Sequence, residues 1–288
     1  MRRCQLVCLV LATTFFSPVL ARTGLAQDGE IRLLVRGDDM GVAQSVNEAC
    51  IRSARDGIVR SVEVIVPGPW FLDAVRLLKE NPGLDVGVHL ALTSEWERVK
   101  WRPLTHAPSL VDADGYFRPM TSQRPDFPPD TGFIDANPKP EEVERELRAQ
   151  IEMARRHLGE RVSHVSAHMG SAVATPKLRA ITEKLAREFA LTLEAPPRPR
   201  GRWSGNSLSA EQKERGLTLL LEGLGPGTWM IVEHPALDTP EMRNIGHKGY
   251  ENVAADRAGV THAFTSASVK EVISRRKIAL ISYTKAGQ

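Results

Sequence analysis

Two carboxylates stand side by side after a short apolar run near the start of the chain. Leu33-Leu34-Val35 leads through Arg36-Gly37 into Asp38 and Asp39. Adjacent like charges repel unless a cation, a shared proton or water compensates them. The alternative interpretation is that both acids simply begin the next helix, where negative charge is favoured. The pair therefore raises the question of what else lies beside it.

Histidines occupy comparable places in three later apolar runs. His89 falls near the end of residues 84–92, His164 and His168 lie within 162–169, and Glu233-His234 closes 227–235. The carboxyl ends of parallel strands gather at one face of an α/β protein, and carboxylate plus imidazole suits a divalent metal. His89 alone could instead be a hydrogen-bonded core histidine. His164 and His168 point the same way in a strand, which allows two ligands, or one ligand and one orienting residue.

Carboxylates and imidazoles grouped in this way are typical of a metal site that activates water. One carboxylate and two neutral imidazoles leave coordination positions open on the metal, so the ion can lower the pKa of water and polarise a carbonyl. A second carboxylate can then act as a general base. Neighbouring residues of an extended strand point to opposite sides, so both acids serve one site only if the chain bends. Gly37 and Gly41 flank the pair and are predicted to permit that bend.

Seven apolar runs alternate with segments of helical periodicity. The runs are residues 31–39, 61–67, 84–92, 162–169, 190–196, 227–235 and 278–283. This alternation predicts an α/β fold with a parallel sheet. Polar residues at the strand ends favour a distorted (β/α) TIM-like barrel of about seven strands, in a single domain. A Pro-, Asp- and Gly-rich stretch at about 93–137 is too long for an ordinary connection and is predicted to cross the mouth of a site.

Composition and the N-terminus restrict the protein class. The 288 residues carry 38 basic and 35 acidic side chains, a balance that argues against nucleic acid as a partner. Residues 1–26 read as a signal peptide, with Met1-Arg2-Arg3 before an apolar core, which predicts an exported protein, periplasmic or secreted. A membrane anchor is the alternative, disfavoured by Pro18 and the short apolar length. Cys50 is the one cysteine that follows this segment, so residues 27–288 cannot form an internal disulfide.

Several motifs in order resemble one family. They are "DDMG" at 38–41, "GVHLALT" at 87–93, "SLVDADGYF" at 109–117, "EHPALD" at 233–238 and "TSAS" at 265–268. Over about residues 32–284 the chain resembles the YdjC-like (ChbG/HpnK-type) carbohydrate deacetylases. The resemblance implies a distorted barrel that uses a divalent metal to hydrolyse the N-acetyl group of amino sugars in oligosaccharides. It also implies a homodimer and a small carbohydrate substrate. No membrane association is expected once the signal peptide is removed, because no later run is long and apolar enough to span a bilayer.

The resemblance also implies roles for individual residues. Asp39, His89 and His168 would hold one divalent ion, zinc in the first place, with magnesium or cobalt as alternatives. Asp38 matches the general base, and His234 would protonate the leaving amine or hold the oxyanion.

Other positions are predicted to contact substrate or depart from the family. Trp96 and Trp101, in the long loop, could stack on sugar rings or simply pack within the loop. Arg36 and His164 are further candidate substrate contacts. Arg36 stands where the family often has Asn, Ser166 replaces an Asp, and Met169-Gly170 replaces two histidines. Alternatives are a metal hydrolase of another amide, an ester or a phosphoester, and a non-catalytic exported sugar-binding protein.

Overall fold

The computed structural model describes residues 29–193 and 195–286. The predicted signal peptide at 1–26, its membrane-anchor alternative, Cys4 and Cys8 all lie outside the described residues. Within the described part of the chain, no helix combines the length and the apolar character needed to cross a membrane.

The predicted alternation of strands and helices around a parallel sheet is confirmed. The strands are β1 (Ile31–Met40), β2 (Ser61–Val64), β3 (Asp85–Leu90), β4 (Val162–Ala167), β5 (Gly227–Glu233) and β6 (Ala279–Ile281). They pair in the order β4-β3-β2-β1-β5, with β6 also on β1, and every pairing is parallel.

Strand β1 is the centre of this sheet. Its residues 31–37 pair with β5 along one edge. The other edge is shared: residues 32–34 pair with β6, and residues 36–40 pair with β2. Because two strands divide one edge, the carboxyl end of β1 is placed between β2 and β5, where the two acids lie.

Helices cover the outer face of the sheet. They are α1 (Gln44–Arg55), α2 (Phe71–Glu80), α3 (Pro140–Leu158), α4 (Pro176–Glu188), α5 (Ala210–Glu222), α6 (Val253–Thr265), α7 (Ala267–Arg275) and α8 (Tyr283–Ala286). Helix α3 shows why they form: a proline opens it, acids occupy its first turn, and residues three and four apart are buried. Cys50 of α1 is buried among apolar neighbours and is a free thiol, as expected.

The predictions of about seven strands and a closed barrel are not confirmed. The described residues contain six strands, and the sheet is open between β4 and β5. Among the described residues of the apolar run at 190–196, a single bridge joins Thr192 to His164. Further on, Pro197 accepts one hydrogen bond from the backbone N–H of Met230 in β5. Prolines at 196, 197 and 199 have no N–H to donate, so this segment cannot form a continuous ladder.

The long loop after β3 is fixed to α3 by two buried carboxylates. Glu146 accepts hydrogen bonds from the backbone N–H groups of Leu104 and Thr105, at 3.0 and 2.9 Å. Glu142 accepts from the N–H and the hydroxyl of Ser109, both at 2.8 Å. The loop therefore holds a defined position over the carboxyl end of the sheet without regular strands of its own.

Candidate metal centre

The bend predicted at the acidic pair occurs at Asp39 itself. Asp39 has a φ of 72°, in the left-handed region that aspartate tolerates better than most residues. The pairing of β1 with β2 shifts register between Gly37 and Met40. Gly41 follows with a φ of 97°, and a side chain there would meet the carbonyl oxygen of Ile65 at 2.6 Å. Gly37 does not take a left-handed conformation, so it permits close packing rather than the bend.

Because of this bend, both acids approach the same histidine. His89 Nε2 lies 3.7 Å from Asp38 Oδ2 and 3.6 Å from Asp39 Oδ1. His168 Nδ1 lies 3.4 Å from the same oxygen of Asp39. One potential ligand atom from each of Asp39, His89 and His168 falls within 4.8 Å of the others, and all three residues are buried. The structure thus brings together the three residues that the resemblance implies as ligands.

The other ring nitrogen of each histidine faces a carboxylate. His168 Nε2 lies 2.8 Å from Glu95 Oε2. His89 Nδ1 lies 3.1 Å from Glu63 Oε2 and 2.6 Å from Ser166 Oγ. Such outer contacts fix the ring orientation of metal-binding histidines. Sequence reasoning missed both glutamates, although a lone acid within the apolar run of β2 was a signal for Glu63.

Arg257 stabilises Asp39. Its Nη1 lies 2.8 Å from Asp39 Oδ2, and its guanidinium lies over the Trp96 ring at 5.1 Å. Burial would raise the pKa of Asp39, but the charges of Arg257 and His234 hold that pKa well below its usual range. Burial opposes charge on His168 as well, yet Glu95 and Asp39 together raise its pKa to about 10. Asp39 is therefore held in its ionised form, with the positive charge of Arg257 beside it.

Arg36 lies directly beside Asp38. Its Nε and Nη2 donate to the two carboxylate oxygens at 2.7 and 2.9 Å. Its Nη1 lies 2.8 Å from Glu63 Oε1 and 2.8 Å from the hydroxyl of Tyr283. Arg36 is 5% exposed. The guanidinium thus forms a buried support for Asp38, and the predicted contact with substrate stays a prediction.

His164 of β4 and His168, which directly follows β4, differ in environment. His168 faces Asp39, whereas His164 is fully buried below it, with Nε2 3.2 Å from Glu63 Oε1. The His164 ring stacks on Tyr283 with 3.6 Å between centroids. His168 therefore lies beside Asp39 and His164 does not, and the predicted contact of His164 with substrate stays a prediction. Met169 and Gly170 then turn the chain with positive φ, and Met169 is exposed.

The remaining predicted residues border the centre. His234 is partly exposed, with Nδ1 3.5 Å from Glu233 Oε2. Burial would lower the pKa of His234, but Asp39 and Glu233 raise it above its ordinary value. Trp96 and Trp101 are each 2% exposed, and the Trp101 ring contacts the edge of His168 at 5.7 Å between centroids. The two indoles form a buried wall here, and their predicted contact with sugar rings stays a prediction.

Comparison with known proteins identifies the family of this chain. The sequence profile described as YdjC-like protein matches residues 32–275. The chain belongs to the YdjC-like family. A carbohydrate deacetylase of Thermus thermophilus is 32% identical over 250 residues, covering 79% of this chain and 85% of that protein. A carbohydrate deacetylase of Brevibacillus brevis is 29% identical over 276 residues, covering 89% of this chain and 100% of that protein.

Solved structures show the same fold. A protein of Enterococcus faecalis, described as a candidate cellobiose-phosphate cleavage protein, superposes with a TM-score of 0.71 at 26% identity. That match covers 88% of this chain and 98% of the other. A mutant of a CE4 family pseudoenzyme with restored enzymatic activity gives a TM-score of 0.52 at 10% identity, covering 92% and 70%. The second likeness concerns the fold alone.

Proposed function

We propose that this YdjC-like protein is a divalent-metal-dependent hydrolase that removes acetyl groups from N-acetylated amino sugars or their oligosaccharides. The observation that carries the proposal is the convergence of Asp39, His89 and His168 at the carboxyl end of the sheet. The relatives described as carbohydrate deacetylases support the reaction class and the substrate class.

The three residues fit a divalent cation. Apart from the ion pair with Arg257, neither oxygen of Asp39 has a hydrogen-bond partner within the described chain, and His168 Nδ1 also lacks one there. Four buried carboxylates, Asp38, Asp39, Glu63 and Glu95, lie around these residues. Their charges face two buried arginines, Arg36 and Arg257, and His168, whose pKa is raised. A cation would compensate that excess of negative charge. Two imidazoles and one carboxylate are typical of zinc sites, and cobalt or magnesium are the alternatives.

Asp39, His89 and His168 would hold a divalent ion, which would supply Lewis-acid chemistry to the acetyl carbonyl and to the attacking water molecule. Asp38 accepts the proton of that water as general base, because its carboxylate reaches the same edge of His89 as Asp39 does. Arg36 holds both oxygens of Asp38 and so fixes their direction. His234 donates a proton to the departing sugar amine, and the charges of Asp39 and Glu233, which raise its pKa, favour the protonated form.

Further properties of the whole protein are proposed from the sequence. Removal of residues 1–26 would leave a deacetylase domain at 27–288, exported to the periplasm or secreted. A homodimer is part of the same proposal, since the family resemblance implies it.

A second candidate function is cleavage of a phosphoester of a sugar. The likeness to the Enterococcus faecalis protein, described as a candidate cellobiose-phosphate cleavage protein, favours it. Both reactions suit the same residues, because a divalent ion held there would supply Lewis-acid chemistry to a carbonyl or to a phosphoryl group.

One assay separates these candidates. The purified mature chain is incubated with acetylated mono- and oligosaccharides and with sugar phosphates, after chelation and after addition of zinc, cobalt or magnesium. We expect acetate release that the chelator abolishes and a metal restores, and no phosphate release. His89→Gln should lack activity, whereas His262→Gln, which removes an exposed histidine paired with Glu214, should retain it. Phosphate release without acetate release would favour the second candidate, and metal-independent release of acetate would refute the metal site.

A further inference from the structure

Glu63 is a fully buried carboxylate that contacts four polar side chains at the base of the metal centre. Oε1 lies 2.8 Å from Arg36 Nη1 and 3.2 Å from His164 Nε2. Oε2 lies 3.1 Å from His89 Nδ1 and accepts a short hydrogen bond from Ser166 Oγ. One oxygen therefore serves the arginine that supports Asp38, and the other serves a candidate metal ligand.

The register of the sheet makes room for this carboxylate. Glu63 in β2 stands opposite Gly87 in β3. A side chain on Gly87 would lie 2.3 Å from His164 Nε2, so the absence of one lets the His164 imidazole reach Glu63. On the β4 side, Ser166 pairs in register with His89, and its small hydroxyl leaves space for Glu63 to approach Nδ1.

We propose that Glu63 is a positioning residue that sets the tautomer and orientation of His89 and, through Arg36, the direction of Asp38. This inference rests on the proposed metal site. An ionised carboxylate can only accept hydrogen bonds, so His89 must carry its hydrogen on Nδ1 and present Nε2 towards Asp39. Glu63 in turn is stabilised in its buried place by Arg36, which also holds Asp38. In this way Glu63 supplies the carboxylate that Ser166, where the family usually has Asp, cannot provide.

The variant Glu63→Gln tests this role. Arg36 can only donate, so the carbonyl oxygen of the introduced amide turns to Arg36 and the amide NH₂ faces His89 Nδ1. That arrangement favours the wrong tautomer, with the hydrogen on Nε2. We expect the affinity for zinc, measured by competition with a chelator, to fall about 10- to 100-fold.

The matched control is Glu146→Gln. Glu146 is as fully buried as Glu63 and also accepts several hydrogen bonds, but it anchors the long loop to α3. This variant should lose thermal stability and keep the zinc affinity of the wild type. Equal zinc affinities for Glu63→Gln and the wild type would overturn the inference.

Two further measurements keep the test decisive. Ser166→Asp added to Glu63→Gln should recover most of the zinc affinity, because Ser166 Oγ is already 2.6 Å from His89 Nδ1. A loss that this second change does not recover would refute a role through His89. If Glu63→Gln fails to fold, ¹⁵N NMR of the zinc-loaded wild type decides: the proton must be on Nδ1 of His89, and a proton on Nε2 overturns the inference. Failure of the wild type to bind any metal would instead refute the proposed function.

Discussion

Arg36 donates hydrogen bonds to both carboxylate oxygens of Asp38, at 2.7 and 2.9 Å. The neighbouring acid, Asp39, has a different partner, with Arg257 Nη1 2.8 Å from its Oδ2. Two adjacent like charges are therefore tolerated because each acid has its own buried arginine, one from the same strand and one from α6. The two acids consequently occupy different electrostatic environments, which suits them to the separate roles of base and ligand.

Arg36→Lys should separate support of Asp38 from contact with substrate. Lysine keeps the charge but cannot bind both carboxylate oxygens in one plane. A small displacement of a catalytic group can reduce turnover by about 10²-fold. We therefore expect kcat to fall by about that factor while KM changes little. The control is Arg161→Lys. Arg161 donates hydrogen bonds to backbone carbonyls, including that of Leu78, so this variant should leave kcat and KM unchanged. A higher KM with unchanged kcat would identify Arg36 as a substrate contact.

The two acids should respond differently to loss of charge. Asp38→Asn removes the proposed base but none of the three proposed ligands, so turnover should drop about 10²- to 10⁴-fold with zinc content preserved. Asp39→Asn should lose zinc as well. The measurements are acetate release and elemental analysis on the same preparations. Equal zinc loss in both variants would show that Asp38 is a ligand and not a separate base.

His234 should determine the alkaline limit of activity. Burial lowers the pKa of His234, but Asp39 and Glu233 raise it above the ordinary value, so the net shift is upward. An acid with a raised pKa stays protonated to higher pH and loses its proton as the pH rises through that pKa. Activity should therefore decline on the alkaline side, and Glu233→Gln should move this decline to lower pH. The activity that remains in His234→Gln should not show this alkaline decline. The wild type and His262→Gln should both show it.

Gly87→Ala should disturb the floor of the centre. The added methyl group would lie 2.3 Å from His164 Nε2, and His164 is fully buried against Tyr283. Forcing a group into such a packed site costs about 1–3 kcal/mol of unfolding free energy. Denaturant unfolding would measure this loss. Gly83→Ala is the control, because no atom lies within 4 Å of the added methyl group and its φ is not positive. Equal stability of the two variants would contradict the observed packing of His164.

The sequence predicted the parallel sheet, its main helices and the residues that meet at the candidate metal centre. Hydrophobic periodicity reports which residues are buried, and strand ends converge by the topology of parallel sheets, so the two acids and the strand-end histidines could be grouped in advance. The choice of Asp39, His89 and His168 among them came from the family resemblance. The strand expected at 190–196 did not form, because periodicity does not show whether a segment has backbone partners on both sides.

Other properties depend on contacts between residues far apart in the chain. The sequence alone predicted the bend from the glycines on either side of the two acids. In the structure Asp39 itself takes the left-handed conformation, at the point where β1 lies between β2 and β5. Glu63, Glu95 and Arg257 reach the centre from β2, the long loop and α6, and their direction follows from strand register and helix packing. The ligand candidates were thus determined by local sequence, whereas the charges and hydrogen bonds that orient them were decided only by the tertiary structure, because they join segments that are close only after folding.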